Sequence, residues 1–377
     1  MNKLIKALIS RPYVTPDFLD KSYFPSLDGW RAIAVMMVVI GHASSTINNQ
    51  SLLYKLIDLF IYANLGVKIF FFLSGFLITT LLIKEYIKFG KINIKFFFIK
   101  RILRIFPVLY LFIIVLIIIN AIFKLEISFD NFLAAALLYS NFKMQSGGWF
   151  TGHIWSLSVE EQFYLIWPFL FVFMHNKLYQ FCITVILIVP CLRVYWYFYP
   201  NNFQVTLGPF LSYAETIFSG SFTAILSFKN FISSSSKIWS VKWLSIIAIL
   251  ILIFLNFLIR NGIAGIFILP LHSTINNLLL VFLMINTLIN TKTLLYKVLN
   301  HKVMVQIGII SYSLYLWQQL FIVPMDVYAD KVHWSIFPLN ILFSLVTAYI
   351  SYHYFEVYFL NHKKKFKSNK FTYEHSH

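Results

Sequence analysis

The sequence predicts an all-α polytopic integral membrane protein of about ten transmembrane helices, both termini cytoplasmic, with one short re-entrant or interfacial helix besides. Three observations predict it. Of 377 residues 59% are hydrophobic and 12% charged, with a mean hydropathy of +0.75, where a soluble domain is about a quarter charged. Apolar runs long enough, or nearly so, to cross about 30 Å of hydrocarbon recur along the chain. The 31 Lys and Arg gather in short links between those runs, as the positive-inside tendency demands of a protein facing anionic lipid. That placement makes membrane lipids the partner of the net +17 charge and argues against nucleic acid.

Taken in order, the runs lie at 31–48, 59–83, 104–122, 157–174, 181–199, 211–228, 241–259, 267–290, 303–323 and 337–360. A shorter apolar piece at 130–142, followed by Gly147-Gly148, controls the topology. Basic clusters stand at Lys84 to Arg104, at Lys229, Lys237 and Lys242, at Lys292, Lys297 and Lys302, and in the tail from Lys363 to Lys370. All four face the cytoplasm with ten crossings and cannot if 130–142 crosses fully, so that piece is expected to be re-entrant or interfacial. The expected organisation is a cytoplasmic segment 1–23, a membrane domain 24–360 and a basic cytoplasmic tail 361–377, with no cleavable signal. Cys182 and Cys191 fall in one apolar run, which excludes a disulfide scaffold, and no metal site is expected.

Ionisable groups inside spans are costly and functional by default. His42 lies within the first run, about two turns from its outer end. Arg31 precedes it by eleven residues, about 1100° of helix, which puts the two on one face about 16 Å apart along the axis. A histidine so placed is either a cap at the outer end of the span or a base beside a carboxylate. Glu160 and Glu161, one turn inside the fourth run, supply the carboxylate at similar depth, and adjacent helix residues point about 100° apart, so one of them is expected to meet His42. Arg101 and Arg104 stand on one helical face at the cytoplasmic entry to the third run, either as headgroup anchors or as a fork of donors for phosphate. Gln318, Gln319 and Glu356 are polar groups in apolar runs and need partners.

The strings LDGWRAIAVMMVVIGH, FFFLSGFLI, the pair Arg101 and Arg104, HIWSLSVEEQFYLIWP, ISYSLYLW and SYHYFE resemble, in order and over residues 24–358, the membrane-bound acyltransferase-3 family. The resemblance implies about ten spans and transfer of an acyl group, most often acetyl from acetyl-CoA, to hydroxyls of exported glycans such as lipopolysaccharide O-antigen. The family's histidine maps onto His42, its arginine onto Arg31 and its paired arginines onto Arg101 and Arg104. Two departures matter. Many members carry histidine where this chain has Gln318, and many carry a fused esterase-like domain that is not expected here, so the acceptor itself must reach the membrane domain.

Residues and resemblance together lead to an acyl-CoA-dependent O-acyltransferase of a bacterial cytoplasmic (inner) membrane. Its partners are acyl-CoA and a glycan or lipid-linked glycan acceptor. Arg31, Arg101 and Arg104 are expected to hold the phosphates of acetyl-CoA, and the axial distance from Arg31 to His42 suits a pantetheine arm. His42 is expected to be general base or acyl carrier, oriented by Glu160 or Glu161. The leading alternative, a transporter or exporter of glycan intermediates, calls for inverted repeats and broken helices, and the sequence shows neither.

Overall fold

The computed structural model describes residues 11–21, 23–143, 148–199, 208–263, 265–324 and 332–363. Helices occupy all ten apolar runs. In chain order they are α1 (Pro25–Ala43), α2 (Leu52–Phe60), α3 (Ala63–Phe89), α4 (Ile94–Phe123), α5 (Phe129–Ala136), α6 (Gly148–Gly152), α7 (Ile154–Met174), α8 (Leu178–Phe198) and α9 (Gly208–Phe228). There follow α10 (Lys242–Arg260), α11 (Gly265–Ile289), α12 (Leu294–Leu299), α13 (Lys302–Ile309), α14 (Ser311–Phe321), α15 (Leu339–Ile350), a π-helical turn (Ser351–Glu356) and α16 (Val357–Lys363). No strand occurs among the described residues. Six helical stretches there are long and apolar enough to cross a membrane: Leu52–Phe89, Ile94–Phe123, Gly148–Met174, Leu178–Phe198, Trp243–Arg260 and Ile268–Ile289.

The helix ends follow local chemistry. α4 starts where the Asn93 side chain accepts from Phe96 N at 3.0 Å, and α3 stops at Gly90, whose φ of 67° is the left-handed conformation that closes a helix. α1 corrects the sequence reading, which ran the first span to residue 48. It ends at Ala43, because Ser45 Oγ and Thr46 Oγ1 bond back to His42 O and Ala43 O, both at 2.7 Å, and the chain tightens into a 3₁₀ turn. His42 therefore sits in the last turn of α1 and not two turns inside it. The apolar piece at 130–142 forms only the eight-residue α5, about 12 Å long and too short to cross.

The chain divides into two compact units, Met1–Gly41, Leu52–Gly90 and Leu170–Ile309 in the first, and His42–Ser51, Lys91–Phe169 and Ile310–His377 in the second. In the first unit α3 and α9 touch along their backbones, since a Cβ on Gly75 would collide with Ile217 O and one on Gly220 with Phe72 O. Small residues of this kind let apolar helices approach where hydrophobicity gives no drive between them. In the second unit Val108, Leu109, Phe112 and Leu116 of α4 pack with Ile154 and Leu157 of α7 and with Leu316, Trp317 and Leu320 of α14. On the opposite side of α4, Ile114, Ile117, Ile118 and Ile122 are exposed, an apolar stripe at helical spacing that suits lipid rather than water.

Candidate functional site

The second unit gathers its polar side chains on the flank of α14. Tyr312 OH donates to Ile105 O at 2.7 Å, Ser313 Oγ donates to Glu356 Oε2 at 2.8 Å, and Tyr315 OH donates to His153 O at 2.8 Å. The two adjacent glutamines then grip two histidines. Gln318 Oε1 stands 3.0 Å from His42 Nδ1, and Gln319 Oε1 accepts from the backbone N of His153 at 3.3 Å. Trp149 Nε1 donates to Ile322 O at 2.7 Å, which holds the indole at 5.5 Å from the His42 ring and nearly edge-on to it.

Partners of this kind are what polar groups in an apolar helix require, yet the site is incompletely paired. Gln318 Nε2, Trp317 Nε1 and both ring nitrogens of His153 are buried without a hydrogen-bond partner. The His153 ring stands edge-on to Phe112 at 5.6 Å and tilted against Tyr315 at 5.5 Å. Gln318 Nε2 is thus an unmet donor on the amide whose oxygen engages His42 Nδ1.

Where the sequence reading joined His42 to Glu160 or Glu161, the structure pairs its Nδ1 with Gln318. α7 begins at Ile154, so the glutamates lie nearly two turns along it, and there they face α4. Arg101 Nε is 4.0 Å from Glu161 Oε1, too long for a hydrogen bond, and neither atom has another. The Arg101 guanidinium lies 3.6 Å above the Tyr164 ring, and Tyr164 OH stands 3.5 Å from Glu160 Oε2. Arg104 lies within electrostatic reach of Glu161 and of Tyr312. The carboxylates assigned to histidine and two of the three arginines assigned to phosphate, Arg101 and Arg104, thus form one half-buried charge cluster. Arg31, in the first unit, is bound one turn back to Asp28 at 2.7 Å, and Asp28 also accepts from Tyr23 OH at 2.7 Å.

Sequence reasoning missed Trp149 and Tyr315, and it named His153 only as a possible partner of a glutamate, where the structure sets it against Gln319 and Tyr315. The signal for His153 was present, a histidine opening the string that continues as the span carrying Glu160 and Glu161. Gln318 and Gln319 were flagged as needing partners, and their partners come from residues 276 and 166 positions away.

The sequence pattern of the acyltransferase domain family matches residues 24–353. The O-acetyltransferase OatA of Staphylococcus aureus strain NCTC 8325 is 29% identical over 380 residues, 93% of this chain and 59% of that protein. The peptidoglycan O-acetyltransferase OatA of Listeria monocytogenes is 35% identical over 172 residues, 41% of this chain and 25% of that protein. A putative O-acetyltransferase of S. aureus strain COL is 29% identical over 373 residues, 89% of this chain and 57% of that protein. The chain thus spans under two thirds of the length of these curated relatives. No solved structure matches.

Proposed function

The chain belongs to the acyltransferase domain family, and from that premise we propose that it is an O-acyltransferase of a bacterial cytoplasmic membrane that moves an acetyl group from acetyl-CoA to a hydroxyl of an exported cell-envelope glycan. The observation that carries this reading is the contact of His42 Nδ1 with Gln318 Oε1 at 3.0 Å. An amide oxygen only accepts, so the proton belongs on Nδ1 and the free lone pair on Nε2.

His42 Nε2 is then the base. It takes the proton of the acceptor hydroxyl as that oxygen attacks the thioester carbonyl, giving a tetrahedral oxyanion. The C–S bond breaks, and the imidazolium returns the proton to the departing thiolate. Gln318 Nε2, buried without a partner, is the donor assigned to the oxyanion. A two-step route, in which Nε2 carries the acetyl group between two attacks, uses the same atoms.

Arg101 and Arg104 keep the donor-side role, with Glu160 and Glu161 holding them in place instead of orienting His42. Arg31 serves with them at the cytoplasmic side, at the far end of the helix that carries His42. The ten helical runs are read as ten crossings with both termini cytoplasmic, and residues 24–360 as the membrane domain. The relatives' names, one of which specifies peptidoglycan, support a glycan acceptor. Lipopolysaccharide O-antigen presents hydroxyls of the same chemistry.

The test uses purified protein in proteoliposomes with radiolabelled acetyl-CoA on the face opposite to isolated envelope glycan. Alkali-labile label on the glycan is the expected result. Unlabelled glycan together with protein-dependent glycan translocation would replace the enzyme by an exporter.

A further inference from the structure

In the first unit α2 takes no part in the reaction above, and its faces are reversed with respect to water. At about 100° per residue Leu52, Leu53, Leu56, Leu59 and Phe60 fall in one arc about 120° wide, and all five are exposed. Tyr54, Ile57 and Asp58 fall on the other side, and these are half-buried. A surface helix in water turns its apolar stripe to the core and its charges outward. α2 turns its apolar arc outward and its carboxylate inward, an arrangement that calls for an apolar medium outside it.

The depth of α2 follows from an ion pair. Arg260, the last residue of α10, pairs with the Asp58 carboxylate, and its Nη1 donates to Asp58 O at 2.8 Å and to Ile61 O at 3.1 Å. Trp243–Arg260 is one of the stretches long and apolar enough to cross, and its 18 residues rise about 27 Å, close to the thickness of the hydrocarbon. Arg260 therefore marks the boundary between hydrocarbon and headgroups, and α2 is tied to that boundary. Its nine residues rise only about 13.5 Å and cannot cross. On the ten-crossing reading the end of α10 and the link that holds α2 both lie on the extracytoplasmic side.

The apolar surface is continuous between the two helices. Ile246, Leu250 and Phe254 form an exposed stripe along α10. Leu59 and Phe60 of α2 line, with Leu252, Ile253 and Phe257 of α10, an apolar cleft between them. The exposed arc of α2 contains no Gly, Ala, Ser or Thr, the small residues through which helices meet one another in membranes. Lipid fits such an arc better than a second copy of the chain does.

We propose that α2 is an interfacial helix lying in the extracytoplasmic leaflet, with its leucine and phenylalanine arc among the lipid acyl chains and Lys55 at the headgroups. It is then neither part of the crossing that follows nor a loop in water. This placement rests on the membrane reading and is independent of the acyltransferase one.

Spin labelling of the full chain in proteoliposomes tests it, with Cys191 replaced by serine and the buried Cys182 kept. A nitroxide is placed at Leu52→Cys, Lys55→Cys, Leu56→Cys or Leu59→Cys, one at a time, and its collisions with oxygen, which concentrates in hydrocarbon, are compared with those with a water-soluble nickel chelate. The three leucine positions are expected to favour oxygen at one common depth, about 5–10 Å into the headgroup and acyl boundary, and Lys55→Cys to favour the chelate. They are equivalent probes, so one variant that fails to insert leaves two. Chelate access at the leucine positions would make α2 a loop in water, and access of neither reagent would put a protein partner on the arc; either result overturns the proposal. Spin–spin broadening at Leu56→Cys that dilution with unlabelled protein removes overturns it in favour of a second copy. A depth that changes by about 10 Å between Leu52→Cys and Leu59→Cys overturns it in favour of an upright extension of α3.

Discussion

At the scale of the residue, His42 and the three arginines stood out in the sequence because charged groups are rare in apolar runs. The partner of His42 was not, because a partner is a tertiary fact: depth and the usual carboxylate habit pointed to Glu160 or Glu161, while the fold brings Gln318 from the other end of the chain. A neutral amide orients the imidazole, so His42 keeps its proton acceptor without a fixed countercharge beside Nδ1. His42→Gln and His42→Ala are both expected to lower initial acetyl transfer by at least about 10² to 10⁴, since neither accepts a proton near neutral pH. Near-parental turnover in His42→Gln, at matched size-exclusion profile, would return His42 to a structural role. Gln318→Leu should lower kcat with little change in the KM for acetyl-CoA, and Gln318→Glu, which restores an acceptor for Nδ1, should recover part of it. The arginines make a separate case. Arg101→Lys with Arg104→Lys keeps the charge but removes the planar fork and the face laid on Tyr164. The expected readout is a raised apparent KM for acetyl-CoA, and parental kinetics at limiting donor would make the pair lipid anchors.

At the scale of the element, hydropathy found where helices lie but not where they stop. The first run continued through Ser44, Ser45 and Thr46 on hydropathy alone, and the hydroxyls of Ser45 and Thr46 ended the helix by bonding its last carbonyls. Nor did a helical pattern reveal which helices touch. The contact of α3 with α9 rests on Gly75 and Gly220, two glycines in apolar strings whose role appears only when the facing carbonyls, Ile217 O and Phe72 O, are in place. Gly220→Val is therefore expected to destabilise the first unit by about 1–3 kcal/mol or more, because the added atoms meet backbone that cannot rotate away. The check is a lowered midpoint of thermal unfolding in detergent. Gly262→Ala lies in a turn with nothing near its side-chain position but at a φ of 68°, so its cost should stay near the smaller strain of a left-handed alanine. Equal midpoints for Gly220→Val and the parent would mean that α3 and α9 do not pack through these glycines.

At the scale of the whole molecule, composition points to a membrane as the solvent, and charge placement predicts a sidedness that labelling can test. Six helical stretches meet the length and hydropathy of a crossing, and four further helical runs are shorter, broken or more polar. α1 carries Asp28, Arg31 and His42, α9 carries Glu215, the ninth run is divided between α13 and α14, and the last contains a π-helical turn. Polar groups and breaks are what a site needs and what a hydropathy window penalises, so these four runs fail the window for the reason that makes two of them, α1 and the ninth, hold His42 and its partner. If all ten cross, the links at 84–100 and after Asn361 are cytoplasmic and 143–150 faces out; if only the six cross, the same links need not share a side. Ser146 and Lys365, both outside the described residues, make the two probes. With the exposed Cys191 replaced by serine and the buried Cys182 kept, an impermeant thiol reagent on intact spheroplasts should mark Ser146→Cys and leave Lys365→Cys unmarked until the membrane is opened. The reverse pattern, or equal labelling of both, would break the ten-crossing count and move the acceptor to the other side of the membrane.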